Sequence, residues 1–463
     1  TALPRILNTL QREGYHFISL EKYLGMSRSQ LMPVIPKDKA YYAMQANLSL
    51  AELIYHASDF LTALFLVFLV LGFARLLFMY ILMIREKQRE KRRSYPLLDK
   101  TNAAKVSIIV PAYNEEVNVV RTLENLKMQG YPNFDIVFVD DGSKDKTLKR
   151  VQEAFADDPN IVILTKQNAG KASALNYGIA HTTAEYVVCI DADTQLRKNA
   201  VTLLMRHYLT DTEGKIGAVA GNVKVGNQRN MLTRWQSIEY TTSQNFDRMA
   251  YASINAITVV PGAIGAFRKK AIEDAGGFNT DTLAEDCDLT MGILEKDYVI
   301  ENENAAIAMT EAPESLRQFV KQRTRWTFGV MQTFWKHRAA LFSKKHKGFG
   351  LWAMPNMLIF QYIIPTFSPL ADLMMLFGLF MGNGWQIFIY YLLFLLVDGS
   401  VSIMAYIVEK EPLWVLLWII PQRFFYRWVM YYVIFKSYMK AIKGELQSWG
   451  VLKRTGNVTI ANK

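Results

Sequence analysis

The sequence is poor in cysteine and lacks the signatures of nucleic-acid-binding proteins. Its 463 residues include only two cysteines, Cys189 and Cys287. We interpret both as small core residues rather than a disulfide or a metal pair, because each adjoins an acidic motif and a cytosolic environment keeps thiols reduced. The sequence also has no zinc-finger spacing, no RNA-binding signature, no internal repeat and no low-complexity tract. We therefore expect no nucleic-acid partner.

Apolar and basic residues, in contrast, are abundant and unevenly distributed. Hydrophobic residues make up 51% of the chain and aromatic residues 13%, although 21% of the residues are charged. The formal net charge is +11, and the basic residues gather near the apolar segments. Anionic lipid or an anionic nucleotide sugar explains this charge better than nucleic acid does.

The amino-terminal part divides into a mixed segment and a long apolar run. Residues 1–58 are amphipathic, with a predicted helix and then a short strand from Tyr15 to Leu20. Residues 59–84 are almost entirely apolar and long enough for a transmembrane helix. The basic run from Arg85 to Arg93 follows, so we expect this end in the cytoplasm and residues 1–58 outside. Because the chain begins with Thr1 and not with Met, we expect a processed product or a piece of a longer protein.

Residues 101–312 have the pattern of an α/β domain. Short apolar runs at 106–110, 135–139, 161–164 and 186–190 alternate with helical patterns, and most of them end in polar clusters. This alternation predicts a parallel sheet of Rossmann-like type, with ligands beyond the carboxyl ends of its strands.

The carboxyl-terminal part is predicted to associate with a membrane. Residues 313–347 are helical, aromatic and basic, which predicts interfacial amphipathic helices. Residues 351–436 contain further apolar stretches, of which at least two should span, and residues 437–463 form a basic tail. The number of spans stays open because of the prolines and arginines inside these stretches. The positive-inside tendency favours a cytoplasmic tail.

Acidic motifs in the α/β domain suit a metal and a nucleotide. Asp191 and Asp193 follow an apolar strand, and their hard carboxylate oxygens suit Mg²⁺ or Mn²⁺ together with phosphate oxygens. Asp140 and Asp141 precede a glycine turn that could hold a base or ribose; the alternative is a helix N-cap. Lys171 opens a predicted helix and is either a phosphate contact or a surface lysine.

Two later motifs suit the transfer chemistry. Glu285 and Asp286 offer a carboxylate that can accept the proton of an attacking hydroxyl, with capping of a helix from Leu289 as the alternative. Gln322, Arg325 and Trp326 share one face of a predicted helix. There, Trp can stack on a sugar and Arg can stabilise a departing diphosphate, although an interfacial Trp and Arg belt is the competing interpretation.

Taken together, these motifs resemble the processive, membrane-integrated glycosyltransferases of family two, and most of all the bacterial poly-N-acetylglucosamine synthases. The resemblance covers about residues 105–340, with a looser match in the spans and in the tail from Trp449 to Gly456. It implies a GT-A type fold with a nucleotide-sugar site, a metal site of Asp191 and Asp193, catalytic Asp286 and Glu285, and acceptor contacts from Gln322 and Trp326. The implied nucleotide-sugar residues are Pro111, Tyr113, Glu115, Asp140, Asp141, Lys171, Asp191 and Arg325.

The resemblance also implies a function and a place in the cell. The expected reaction is inverting transfer of a sugar from UDP-N-acetylglucosamine to a growing polysaccharide. The expected protein is a multi-pass protein of the bacterial plasma membrane, in contact with membrane lipids, and exports the polysaccharide through its spans. A small membrane accessory subunit is a further expected partner. Residues 1–36 resemble the end of a polysaccharide deacetylase. In the glycosyltransferase region, Ala284 stands where the family usually has Thr. Alternatives are a hyaluronan-, chitin- or cellulose-type synthase, a single-sugar transferase to polyprenyl phosphate, and a non-enzymatic scaffold or sensor.

Overall fold

The computed structural model describes residues 2–33, 36–99, 101–380, 384–443, 456 and 458. The chain forms two compact units, Thr1–Val67 and Phe68–Lys463. The first contains three short helices, α1 (Ala2–Arg12), α2 (Leu20–Leu24) and α3 (Arg28–Leu31). The strand predicted from Tyr15 to Leu20 is wrong, since Tyr15–Ser19 has no regular structure and α2 begins at Leu20. The Ser19 hydroxyl accepts a hydrogen bond from the Lys22 amide at 3.3 Å, which caps α2 and favours the helix.

A single long helix, α4 (Lys39–Arg92), contains the first apolar run. It extends well beyond the predicted 59–84 segment at both ends, because polar flanks with good helix formers continue the same helix. Among the described residues, α4 is the one helix both long and apolar enough to cross a membrane, and a shorter apolar helical stretch lies at Leu395–Val408. The further carboxyl-terminal spans remain predictions.

The central α/β region is built on one eight-stranded sheet with the order β3-β2-β1-β4-β7-β6-β8-β5. The strands are β1 (Val106–Ala112), β2 (Phe134–Asp140), β3 (Ile161–Thr165), β4 (Tyr186–Cys189), β5 (Gln195–Leu196), β6 (Ile216–Val225), β7 (Gly265–Arg268) and β8 (Val299–Thr310). The first four are parallel to one another, as predicted. The sheet continues beyond these four strands as a mixed sheet, because β7 pairs antiparallel with both β4 and β6, and β5 pairs antiparallel with β8, whereas β6 and β8 are parallel.

Helices cover both faces of this sheet. They are α5 (Val119–Lys127), α6 (Thr147–Phe155), α7 (Lys171–Ala180), α8 (Ala200–Leu209), α9 (Met231–Glu239), α10 (Phe246–Ala252), α11 (Lys269–Asp274) and α12 (Glu285–Glu295). Side chains alternate along each strand, so Ile108 and Val110 join one apolar core while Ile109 joins the other. Cys189 and Cys287 are free and buried, which confirms that they are core residues.

The carboxyl-terminal part is helical. It contains α13 (Leu316–Lys336), α14 (Met354–Asn356), α15 (Ile364–Phe380), α16 (Gly384–Val408) and α17 (Ile419–Lys443), with π-helical turns at Tyr240–Asn245, Phe349–Ala353 and Met357–Ile363 and 3₁₀ turns at Arg338–Ala340 and Leu413–Trp418. Most of the predicted tail motif from Trp449 to Gly456 lies outside the described residues. Of the tail, Gly456 donates its amide hydrogen to Glu311 at 3.2 Å, and Val458 is buried.

Candidate active site

The first part of the site is the loop that follows β1. Pro111 is buried in β1 beyond the point where pairing with β4 ends at Ile109, so its missing N–H breaks no ladder bond with that strand. Tyr113 and Glu115 follow the strand and are half-buried. The Glu115 amide donates to the Thr147 hydroxyl at 2.8 Å, which ties this loop to the start of α6. The resulting edge is where ligands of doubly wound sheets bind.

Asp140 and Asp141, at the end of β2, are both buried. Asp141 Oδ1 lies 2.8 Å from Lys166 Nζ, and its Oδ2 accepts the Gly170 amide hydrogen at 2.8 Å. Asp140 accepts the Ser143 amide hydrogen at 3.2 Å. Both carboxylates therefore shape the loops that would surround a nucleotide, and Asp141 orients the chain just before α7.

Asp191 and Asp193 follow β4 in a turn and differ in exposure. Asp193 is 4% exposed, whereas the side chain of Asp191 is 32% exposed. Strand β4 ends at Cys189, and the Thr194 amide donates to the Asp191 carbonyl, so both aspartates lie in a turn that follows the strand. No group of three or more His, Cys, Asp and Glu side chains that could hold a metal occurs among the described residues. Asp191 and Asp193 thus offer two carboxylates as candidate metal ligands in this turn.

Lys171, the first residue of α7, links the two acidic motifs. Its Nζ lies 2.6 Å from Asp191 Oδ1 and 3.2 Å from Glu285 Oε1. Burial alone would lower the pKa of Lys171, but the nearby carboxylates outweigh burial and raise it, so this lysine stays charged. Of the two interpretations of Lys171, the surface lysine is wrong.

Glu285 and Asp286 form the first turn of α12, which begins four residues earlier than the predicted helix from Leu289. Asp286 Oδ2 accepts the Gly262 amide hydrogen at 3.3 Å, and its Oδ1 accepts that of Cys287 at 2.8 Å. Burial, and then the charge of Glu285, raise the pKa of Asp286 to about 6. A carboxylate with such a pKa can accept a proton near neutral pH.

Gln322, Arg325 and Trp326 lie on α13, as predicted. Gln322 is buried, and its Oε1 has no hydrogen-bond partner in the part of the chain that is described. Arg325 and Trp326 are half-buried. Sequence reasoning missed Arg323, whose guanidinium lies 4.5 Å from the centre of the Trp326 ring and pairs with Glu239 at 2.9 Å. Its spacing of three from Trp326 is a signal that could have identified it.

A second missed residue is Asn176 on α7. Its side-chain amide exchanges two hydrogen bonds with the Phe278 backbone, at 2.7 and 2.9 Å. It holds the turn of Gly276 and Gly277, both with positive φ, which precedes Glu285 and Asp286 in the chain. The structure therefore brings Lys171, Asp191 and Glu285 into direct contact, with Asp286 beside them.

Comparison with known protein families gives the class of the domain. Residues 107–276 match the family model described as glycosyl transferase family 2, and the domain is a glycosyltransferase domain of that family. The fold is also similar to that of a mannosyltransferase from Pyrobaculum calidifontis, solved in complex with GDP-Man and Mn²⁺, with a TM-score of 0.52 and 21% identity over 74% of this chain and 97% of that one.

Two similar curated proteins have names that also state a sugar and a linkage. The chain is 31% identical over 234 residues to a poly-β-1,6-N-acetyl-D-glucosamine synthase of Staphylococcus epidermidis, which covers 50% of this chain and 56% of that protein. It is 30% identical over 259 residues to the synthase of the same name from Staphylococcus aureus strain COL, covering 56% and 61%. The chain thus spans less than two thirds of these relatives' length.

Proposed function

We propose that the protein is a processive, inverting glycosyltransferase that polymerises N-acetylglucosamine from UDP-N-acetylglucosamine, with poly-β-1,6-N-acetylglucosamine as its product. The observation that carries this proposal is the contact of Lys171 with Asp191 and Glu285 at 2.6 and 3.2 Å. It joins a donor-binding carboxylate to the pair that would activate an acceptor. The names of the staphylococcal relatives supply the sugar and the linkage.

The donor would bind along the carboxyl ends of β1, β2 and β4. Tyr113 and Glu115 would contact the uridine from the loop after β1, which the Thr147 hydroxyl ties to α6. Asp191 and Asp193 offer hard carboxylate oxygens, a donor set that fits Mg²⁺ or Mn²⁺ completed by phosphate oxygens. When bound, the ion would neutralise the charge of the diphosphate.

Transfer needs one proton to move. Asp286 would accept the proton of the acceptor hydroxyl while that oxygen forms the new bond to the sugar carbon and the bond from that carbon to the UDP oxygen breaks. The raised pKa of Asp286, about 6, suits this role near neutral pH. Lys171 and Arg325 would stabilise the negative charge that grows on the leaving UDP.

The acceptor would lie against α13. The Trp326 ring offers an apolar face for a sugar, and Arg323 stacks on it at 4.5 Å and limits its rotation. Gln322 holds a buried carbonyl oxygen without a partner among the described residues, and a sugar hydroxyl would satisfy it.

We further propose that the catalytic domain lies on the cytoplasmic side of a bacterial plasma membrane, with several spans guiding the polymer out. The basic end of α4 contacts the domain directly, since Arg89 and Arg93 pair with Glu301 at 2.5 and 2.6 Å. Gly456 of the tail bonds to Glu311 of the same domain. These contacts support a cytoplasmic location of both chain regions.

The test is a transfer assay on the purified protein in nanodiscs. The protein receives labelled UDP-N-acetylglucosamine with Mg²⁺ or Mn²⁺, and the products are sized and their linkage is determined. We expect a long polymer. A lipid-linked monosaccharide as the product would refute polymerisation and indicate a single-sugar transferase. UDP binding without turnover would indicate a non-enzymatic nucleotide sensor.

The matched variants are Asp286→Asn and Glu273→Gln. Asp286→Asn should abolish elongation while UDP affinity, measured by calorimetry, stays unchanged, because the variant keeps the shape and loses the base. Glu273 is an exposed acid on α11, so its variant should elongate normally. Persistent elongation by Asp286→Asn would refute its assignment as the base.

A further inference from the structure

A cluster of charged side chains around the buried Asp288 joins α12 to the end of α13. Asp288 has a fully buried side chain, and its two oxygens lie 2.9 Å from His337 Nε2 and 2.9 Å from Lys336 Nζ. The other ring nitrogen, Nδ1, lies 3.0 Å from Glu295 Oε1. We call Asp288, Glu295, Lys336 and His337 the α12–α13 clamp.

The geometry requires a charged His337. A neutral imidazole has one N–H, so one of two carboxylates would face a lone pair, whereas an imidazolium donates to both. Burial alone would lower the pKa of His337, but the hydrogen bonds to Asp288 and Glu295 outweigh it and raise the pKa to about 9. His337 is therefore a cation at neutral pH and holds two carboxylates of α12 to the end of α13.

A second contact fixes α13 to the chain just before the catalytic pair. The Gln332 side-chain oxygen accepts the Leu283 amide hydrogen at 3.2 Å. Gly329 lies so close that a Cβ placed there would be 2.8 Å from the Ala284 nitrogen. The Gln332–Leu283 contact lies before Glu285 and Asp286 in the chain, and the α12–α13 clamp lies after them. Both contacts come from α13, the helix that carries Gln322 and Trp326, or from its end.

We propose that His337 is a positioning residue, which through the α12–α13 clamp keeps the base Asp286 in register with the acceptor-binding face of α13. This inference rests on the proposed function for the role of Asp286. Loss of the clamp would leave donor binding intact, because no donor residue belongs to it. It would misplace the base relative to the acceptor, and rates are sensitive to such shifts.

The test compares His337→Gln with His207→Gln in the full-length protein. His207 forms a similarly buried pair with Glu303, at 3.0 Å, between α8 and β8. For His337→Gln we expect kcat to fall by about tenfold or more, with KM for UDP-N-acetylglucosamine within about threefold. His337→Arg keeps a permanent cation and should recover part of the rate, while His207→Gln should keep the kcat of the unaltered protein.

Hydrogen exchange supplies a readout that does not depend on turnover. Amides of residues 282–288 should exchange faster in His337→Gln than in His207→Gln, because the first turn of α12 loses its anchor. Equal exchange and equal kcat in the two variants would overturn the inference, as would a change confined to KM. If the unaltered protein transfers no sugar, the proposed function fails, and equal exchange would then overturn the clamp as well.

Discussion

Near the proposed catalytic pair, Gly329 of α13 packs tightly against the backbone of Leu283 and Ala284, and this contact can be tested by substitution. In Gly329→Ala, the new Cβ would lie 2.8 Å from the Ala284 nitrogen and 2.9 Å from the Leu283 carbonyl carbon. Ordinary contacts between such atoms are about 3.5–4.0 Å, so α13 or the 283–284 backbone must shift by roughly 0.7 Å or more. The atoms in the way are backbone, which cannot turn aside as a side chain does.

A second glycine provides the matched control. Gly292 lies within α12, and a Cβ there meets only Ala275, at 3.4 Å or more. Both substitutions gain about 1 kcal/mol of helix propensity, so this gain cancels when the two variants are compared. Overpacking then makes Gly329→Ala less stable than Gly292→Ala by about 1–3 kcal/mol. With roughly 2 cal/mol/K of unfolding entropy per residue, the melting temperatures of this 463-residue chain should differ by about 1–3 °C.

The same shift should appear in catalysis. Displacement of the 283–284 backbone moves the start of α12, and a misplacement of about 1 Å can cost about a hundredfold in rate. We expect Gly329→Ala to lose about tenfold or more in kcat, measured as sugar transferred per enzyme in nanodiscs, while Gly292→Ala keeps its rate. If Gly329→Ala melts and turns over like Gly292→Ala, the close packing of α13 on the catalytic turn is refuted.

Three further predictions concern charge. Because burial raises the pKa of Asp286 to about 6, kcat should fall about tenfold per pH unit below that value, and a flat profile down to pH 5 would contradict its role as base. The pKa of His337 is raised from 6.5 to about 9, which adds about 3 kcal/mol to the free energy of unfolding. This contribution is complete below pH 6.5 and is lost as the pH rises through 9. Chemical unfolding should show the loss in the unaltered protein but not in His337→Gln. Lys171→Met should weaken UDP-N-acetylglucosamine binding at least about tenfold in calorimetry, since Asp191 and Glu285 lose their shared cation, and unchanged affinity would count against its donor contact.

The first half of the sheet could be predicted from the sequence because β1, β4 and most of β2 are buried, and the edge strand β3 is a short apolar run. Strands β1 to β4 appear as continuous apolar runs, and they lie where those runs predicted. The second half could not. Strand β5 has two residues, and β8 contains Glu301 and Glu303, whose buried carboxylates pair with arginines from distant helices. A polar strand that is neutralised by tertiary contacts leaves no local pattern.

The candidate site could also be predicted only in part from the sequence. Ordered motifs identified Asp191, Glu285 and Asp286 because each stands in an acidic pair at the end of an element. The central place of Lys171 could not be predicted, since it depends on α7 and α12 meeting across the sheet edge. His337 gave no signal, because a lone histidine at a helix end has meaning only when its two carboxylates are seen.

The pairing of Glu301 with Arg89 and Arg93 bears on how the catalytic domain can be produced by itself. Composition suggests a cut near residue 100, where the basic run has ended and the α/β pattern begins. Glu301 is 3% exposed while Arg89 and Arg93 lie against it, so such a truncation would remove both guanidinium partners of this carboxylate together with the helix end that carries them. A soluble version for crystallisation or inhibitor screening should therefore begin before Arg85, or carry Glu301→Gln.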